Sequence, residues 1–373
     1  MNVTRDSIKD KKRWVVKVGS ALLTDDGQRL DINMIQLLAE QIVTLRKQGV
    51  EVLLVSSGSV AAGMTKLGIR SRPERVNELQ AAAAVGQASL VRHYEEAFAP
   101  FEVNIAQVLL THADIANRGR YLNARSALCT LLELGVLAVI NENDTVATEE
   151  ICFGDNDNLA ALVANLVEAD LLVILTDQDG LFTANPRTDD KAKLVNEAAA
   201  DDASLLAMAS GGHQLGRGGM LTKLTAARNA GRSGASTIIA SGRVERILPR
   251  LYQGETIGTL LVANQRLASR KQWMAGQMRI KGQVTIDPGA CRVLKKQGSS
   301  LLPVGVTAVS GDFNRGELIS CIDDAGQEVA RGLSNYSAAE SEQLRGQSSD
   351  RIGAILGYRG DDELIHRDNM VLL

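Results

Sequence analysis

Aromatic residues are scarce in this chain of 373. Trp, Tyr and Phe together make up 3% of it, although 45% of its residues are hydrophobic. Alanine and leucine must therefore build the core, as is usual where helices pack on a sheet. Cysteine and histidine are also rare, with four of each. Cys129, Cys152, Cys291 and Cys321 lie far apart and form no CxxC pair. They read as free thiols of a reducing compartment, not as a disulfide framework. The histidines have no metal-ligand spacing, so no protein-held metal is expected. No apolar run approaches the roughly 20 residues needed to span a bilayer. The first residues, MNVTRDSIKDKKR, are polar and charged, unlike a signal peptide. A cytoplasmic protein without membrane contact is expected. Positive charge is not in excess either. The formal net charge is -3, which gives the whole chain no basic footprint for nucleic acid.

What is present is an alternation of short apolar runs and helical patterns from residue 13 to about 262. Trp14–Val18, Val52–Val55, Ile105–Leu110, Gly135–Ile140, Leu171–Leu175 and Thr237–Ala240 read as buried strands. Between the first two, Asp31 reads as an N-cap. Ile32, Ile35, Leu38, Ile42 and Leu45 follow helical spacing, and Gly49 supplies a stop. Glu78 to Ala99 reads as a long alanine-rich helix. This pattern predicts an α/β domain whose mostly parallel sheet is covered on both faces. Ligands of such sheets bind beyond the carboxyl ends of the strands. The texture changes near residue 265. Residues 266–275 read as a polar connector between a first domain, 1–265, and a small β-rich second domain, 276–373. The runs Val284–Ile286, Val304–Val309, Glu317–Ile322 and Glu328–Leu333 supply the second domain's strands.

Polar residues cluster where the parallel sheet would end. Asn141, Glu142, Asn143 and Asp144 follow one strand, and Asp155, Asn156, Asp157 and Asn158 open the helix after it. Either cluster alone is an ordinary turn or N-cap. Together they offer carboxylates to an ammonium and amides to a carboxylate, which is what holding a small zwitterion requires. Lys17 lies inside a strand that should be buried. Either it snorkels from the strand end or an anion meets it, because burying an unpaired ammonium is expensive. Ser56-Ser-Gly-Ser59 makes a tight strand-to-helix turn that directs N–H groups above the sheet. Gly216-Arg-Gly-Gly-Met-Leu-Thr-Lys223 resembles a phosphate loop without matching GxxxxGK[ST] or GxGxxG. Its other reading is a glycine hinge with a surface lysine. Thr176 and Asp177 follow a buried strand, in a simple turn or beside a nucleotide's base and sugar. Taken together, these features suit phosphoryl transfer to a small carboxylate. No histidine or cysteine is placed as a nucleophile, so direct in-line transfer is preferred.

Six motifs, VKVGS (16–20), VSSGSVAAG (55–63), INENDTV (140–146), GDNDNLAALVA (154–164), LTDQDGLFTANPR (175–187) and GRGGMLTKL (216–224), resemble the amino-acid kinase family. Within it they are most similar to the members that phosphorylate glutamate. The tail segments GQVTIDPGA, SGDFNRGEL and EVARGLSNY resemble the PUA domain. The resemblance implies a three-layer αβα sandwich followed by a PUA-like domain. It implies ATP-dependent phosphorylation of the γ-carboxylate of L-glutamate, the first step toward proline. By the same resemblance, Lys17 and Lys223 flank the transferring phosphoryl group and Asp157 holds them in place. Ser57, Asp144, Asn156 and Asn141 bind glutamate. Lys17, Thr176, Asp177 and the loop Arg217, Gly218, Gly219, Met220, Leu221, Thr222 and Lys223 bind ATP, and Mg²⁺ comes with the nucleotide. Arg217 departs from the family, which often has Thr or a small residue there. Proline is implied as an inhibitor and a dimer or tetramer as the assembly.

Two other functions compete. Another kinase of the family would act on aspartate, acetylglutamate or a nucleoside monophosphate. The INEND and GDNDN pair argues against these. An RNA-binding regulatory role would rest on the PUA-like tail. Residues 276–373 carry 11 Lys and Arg against 13 Asp and Glu, with few aromatics, a poor composition for RNA.

Overall fold

Strand-forming apolar runs in the first part of the chain are each followed by an amphipathic helix, and the sheet they form fixes where every later side chain points. The computed structural model describes residues 4–25, 29–147, 156–186, 188–210, 219–263, 280–297 and 299–372. They divide into two compact units, 4–113 with 125–263, and 280–372 with 114–124. The proposed connector, 266–275, lies outside the described residues.

The strands of the first unit are β1 (Arg13–Val18), β2 (Thr24–Asp25), β3 (Arg29–Leu30), β4 (Glu51–Ser56), β5 (Ile105–Leu110), β6 (Leu137–Glu142), β7 (Leu171–Thr176), β8 (Glu197–Ala199), β9 (Ser236–Ser241) and β10 (Thr259–Val262). β2 and β3 form a small hairpin. The other eight form one sheet in the order β5-β6-β4-β1-β7-β9-β10-β8. Every pairing in it is parallel except β9 with β10. β1 is central, with Lys17 opposite Val55 of β4 and Ile174 of β7. The parallel order brings the carboxyl ends of β1, β4, β6 and β7 to one edge.

The two faces of β1 are distinguished by its period of two. Trp14, Val16 and Val18 point into a core with Leu38 and Ile42 of helix Ile32–Lys47 and Leu90 and Tyr94 of helix Val76–Phe98. The first helix begins as its sequence predicts, with Asp31 accepting a hydrogen bond from the Met34 N–H at 3.0 Å. Val15 and Lys17 face the other way, toward helix Asn156–Leu166, which packs on β1 and against helix Met220–Gly231. The expected sheet, mostly parallel with helices on both faces, is present. One strand is displaced by two residues from the expected Gly135–Ile140. β6 runs through Asn141 and Glu142, which pair with Leu109 and Leu110 of β5. The polar pair is in the strand, not in a turn, because buried partners described below receive the Asn141 amide.

The second unit contains β11 (Gly282–Ile286), β12 (Val306–Gly311), β13 (Leu318–Ile322), β14 (Glu328–Leu333) and β15 (Met370–Leu372). They make a sheet in the order β12-β11-β13-β14-β15. Val284, Ile286, Phe313, Ile319, Val329 and Tyr336 build its core. The unit also carries helices that a β-rich reading omits, Pro288–Gln297 and Ala338–Leu344. The second opens on a capping box in which Ser337 and Glu340 each accept from the other's backbone N–H.

Candidate functional site

The charged centre begins with Lys17. A lysine in the middle strand of a sheet cannot reach water without leaving its strand, and it does not: it is 4% exposed. Its Nζ meets Asp157 Oδ1 at 2.6 Å. Asp157, 1% exposed, stands in the first turn of helix Asn156–Leu166, where the N-terminal end of the helix favours an anion. Its second oxygen receives Lys223 Nζ at 3.1 Å and the Thr222 hydroxyl at 2.8 Å. Lys223 is 5% exposed, in the first turns of helix Met220–Gly231. One carboxylate thus joins two ammonium groups from separate elements, leaving one net positive charge. Burial by itself would raise the Asp157 carboxyl. The two lysines outweigh it and hold the group at about 2. Burial pulls the Lys223 ammonium below its ordinary value, opposed by Asp157 and reinforced by Lys17.

Beside this centre lies an amide cluster. Asn156 Nδ2 donates to the Ser56 carbonyl at 2.9 Å, Ser57 Oγ at 2.9 Å and Asn141 Oδ1 at 3.0 Å. Asn141 Oδ1 also accepts from the Glu142 N–H at 2.9 Å. Asp144, in the turn after β6, accepts from the Ser59 hydroxyl at 2.9 Å. Burial raises its carboxyl to about 6, and the Ser59 hydrogen bond and the Arg72 charge moderate the rise. The site therefore holds one acid kept firmly ionised and one that takes up a proton as pH falls through about 6.

Two helices begin here with glycine N-caps and no side-chain cap. Helix Ser59–Leu67 follows Gly58, whose φ of 106° suits glycine, and helix Met220–Gly231 follows Gly219. Their first-turn N–H groups remain for an anion. Thr176 ends β7, buried, and donates to the exposed Asp177 carboxylate at 3.1 Å.

The structure thus brings Lys17, Lys223, Asp157, Thr222, Ser57, Asn156 and Asn141 into one connected set. Asp144 is tied through Ser59 to the same strand-to-helix turn. Thr176 and Asp177 lie at the carboxyl end of β7, next to β1. Gly219, Met220 and Leu221 open the Lys223 helix, with Leu221 exposed. Arg217, Gly218, Asp155 and the segment 149–153 lie outside the described residues. Sequence reasoning missed Ser59 as the partner of Asp144, and it missed Gln87, which accepts from Asn141 Nδ2 at 2.8 Å. A signal for Gln87 existed. Leu79, Ala83, Gly86, Gln87, Leu90 and Tyr94 mark the buried stripe of their helix, and Gln87 is its one amide.

Residues 12–241 match the amino acid kinase family, and residues 282–356 match the PUA domain. The chain is 58% identical over 371 residues to glutamate 5-kinase of Stutzerimonas stutzeri, covering 99% of this chain and 100% of that one. The same identity and coverage relate it to glutamate 5-kinase of Pseudomonas aeruginosa. Among solved structures, carbamate kinase from Giardia lamblia bound to AMP-PNP aligns with a TM-score of 0.50 and 18% identity. That alignment covers 69% of this chain and 100% of that one. UMP kinase from Bacillus anthracis aligns with a TM-score of 0.47 and 18% identity, covering 68% and 97%.

Proposed function

Since this chain belongs to the amino acid kinase family, and within it to the glutamate 5-kinases, we infer that it transfers the γ-phosphoryl group of ATP to the γ-carboxylate of L-glutamate. The product is L-glutamyl 5-phosphate, the first intermediate toward proline. The observation that carries this reading is the buried Lys17–Asp157–Lys223 bridge beside an amide and acid pocket. A carboxylate attacks phosphorus in its ionised form, so no general base is required. What the reaction needs is alignment of two anions and cancellation of their charge. Lys17 and Lys223 supply that charge, and Asp157 holds both ammonium groups without taking a proton. Lys17 meets the donor and acceptor sides, and Lys223 the transferring group. Asp144 pairs with the substrate ammonium. Asn156, Asn141, Ser57 and the N–H groups of helix Ser59–Leu67 orient the rest of glutamate.

ATP lies along Thr176, Asp177 and the segment from Arg217 to Lys223, with its phosphates toward the helix that follows Gly219. Magnesium accompanies the nucleotide. Among the described residues no three His, Cys, Asp or Glu side chains stand together as a metal cage. Residues 1–265 carry catalysis, and 276–373 form a separate PUA domain joined by the 266–275 connector. The enzyme works in the cytoplasm as a homo-oligomer. No helix among the described residues is long and apolar enough to cross a membrane.

Incubation with ATP, Mg²⁺, glutamate and hydroxylamine tests the reading. The γ-hydroxamate of glutamate should form, and aspartate, acetylglutamate and UMP should give no comparable turnover. Turnover of one of those in place of glutamate would overturn it.

A further inference from the structure

Gln87 lies on helix Val76–Phe98, outside every motif that marks the site, and it is 8% exposed. Its Oε1 accepts from Asn141 Nδ2 at 2.8 Å. Asn141, 1% exposed, passes the contact on: its Oδ1 takes Asn156 Nδ2 at 3.0 Å and the Glu142 N–H at 2.9 Å. Asn156 Nδ2 then reaches the Ser56 carbonyl and the Ser57 hydroxyl. Three amides thus stand in series, and each fixes which way the next one faces. If Asn141 turned over, its NH₂ would face two donors and its oxygen would face Gln87 Oε1.

The far end of Gln87 argues that this is its purpose. Gln87 Nε2 is buried with no hydrogen-bond partner among the described residues. A buried donor without a partner is costly. A methionine would fill the same volume and avoid that cost, so packing alone does not explain an amide here. The acceptor that Gln87 gives Asn141 does.

The helix is held where Gln87 can do this. Gly86 crosses helix Ser59–Leu67 at Gly63 with backbone against backbone. A Cβ at Gly86 would lie 1.9 Å from the Ser59 carbonyl oxygen, and one at Gly63 would lie 1.7 Å from that of Ala82. The same crossing therefore fixes Ser59, which holds Asp144, and Gln87, which holds Asn141.

We propose that Gln87 is a positioning residue for the phosphoryl acceptor, acting through Asn141 to set the Asn156 amide. This rests on glutamate being the acceptor, and it adds a residue that touches none of the reacting atoms. It requires that the effect of Gln87 vanish once Asn141 is gone.

The test is a double-mutant cycle on the full-length chain, read as glutamate KM, ATP KM and kcat. Gln87→Met should raise the glutamate KM about tenfold, equivalent to about 1.4 kcal/mol, while ATP KM and kcat stay within about threefold. Added to Asn141→Ala, Gln87→Met should change the glutamate KM less than about twofold. If the methionine variant does not fold, Gln87→Ala, which leaves space instead of filling it, takes its place in the cycle. The proposal is overturned if the unaltered enzyme phosphorylates glutamate and the single variant keeps its glutamate KM. It is equally overturned if the two substitutions act additively, because Gln87 would then act without Asn141. An unaltered enzyme that makes no glutamyl hydroxamate would instead reject the assigned reaction.

Discussion

Asp157→Asn tests the charged centre most directly. The substitution preserves size and one acceptor oxygen but removes the charge between two ammonium groups held at 2.6 and 3.1 Å. Those groups are nearly inaccessible to water, so solvent cannot replace the carboxylate. Deleting one member of a buried ion pair costs about 3–5 kcal/mol when the remaining charge stays. The variant avoids much of that by releasing a proton. Lys223 is already held below its ordinary value by burial, and losing Asp157 removes what opposes the shift. A lysine that has released its proton offers no charge to the transition state. We predict a kcat loss of about 10²–10³-fold, the range for losing a preorganised charge stabiliser, with glutamate and ATP KM changed by under about threefold. At saturating substrates, kcat of the variant should recover as pH falls, whereas kcat of the parent stays level over the same range. Stability changes as well. The folded value of Asp157, about 2, lies below its ordinary 3.8, so its ionised form favours the folded state. That contribution, on the order of 2 kcal/mol, is present above the unfolded value and lost as pH falls toward the folded one. Hydroxamate kinetics across pH, with urea unfolding of both proteins, measure all of this. A variant with parental kcat and an unchanged pH profile would refute the bridge as the catalytic organiser.

Four further outcomes are expected. Lys17→Ala and Lys223→Ala should each lower kcat by about 3 kcal/mol with little change in glutamate KM, and near-normal kcat would remove that lysine from the mechanism. Glutamate KM of the unaltered enzyme should rise as pH falls through about 6, because a protonated Asp144 cannot pair with an ammonium. Asp144→Asn should abolish that dependence and weaken glutamate binding. It should also stabilise the fold at neutral pH by roughly 3 kcal/mol, because a carboxyl whose folded value is raised opposes folding above that value. A chain ending at Ala275 should fold and keep catalysis; a well-folded but inactive product would assign the second domain a part in the site. Proline shares the α-carboxylate and a cationic nitrogen with glutamate, so it should raise the apparent glutamate KM, and saturation curves that superimpose with and without it would contradict this.

The sheet was legible because its strands announce themselves locally. Each is a short apolar run followed by a helix, and only the order of pairing depends on distant contacts. Lys17 was legible for a related reason, since an ammonium inside a buried strand requires an anion, and Asp157 is there at 2.6 Å. The Gln87–Asn141 contact was not legible, because its partners are 54 residues apart and Gln87, unlike Asn141, sits in no distinctive motif. The two-residue shift of β6 was hidden by the same ignorance. Asn141 and Glu142 read as turn residues until their buried partners are known. The helix Ala338–Leu344 is a different case. Its Ser337 and Glu340 form a recognisable N-terminal signature, which was passed over because glycine-broken β runs surround it. β8, β10 and β15 have three or four residues each, too few to show an alternation.

The crossing of Gly63 and Gly86 also bears on how this protein tolerates change. Where helices meet through interlocking side chains, a substitution or a rise in temperature is absorbed by rotamer adjustment, and the spacing drifts. At Gly63 and Gly86 the spacing is set by main chain against main chain, with side-chain packing of Val60 on Leu79 and Ala83 only to one side of that point. The distance between Ser59 and Gln87 is therefore insulated from the surrounding alanine-rich core. Substitutions elsewhere along these two helices, Ser59 and Gln87 apart, should weaken the fold before they shift either of those side chains. The placement of Ser59 and Gln87 and the packing of the rest of the two helices are thus set by different contacts of the same pair.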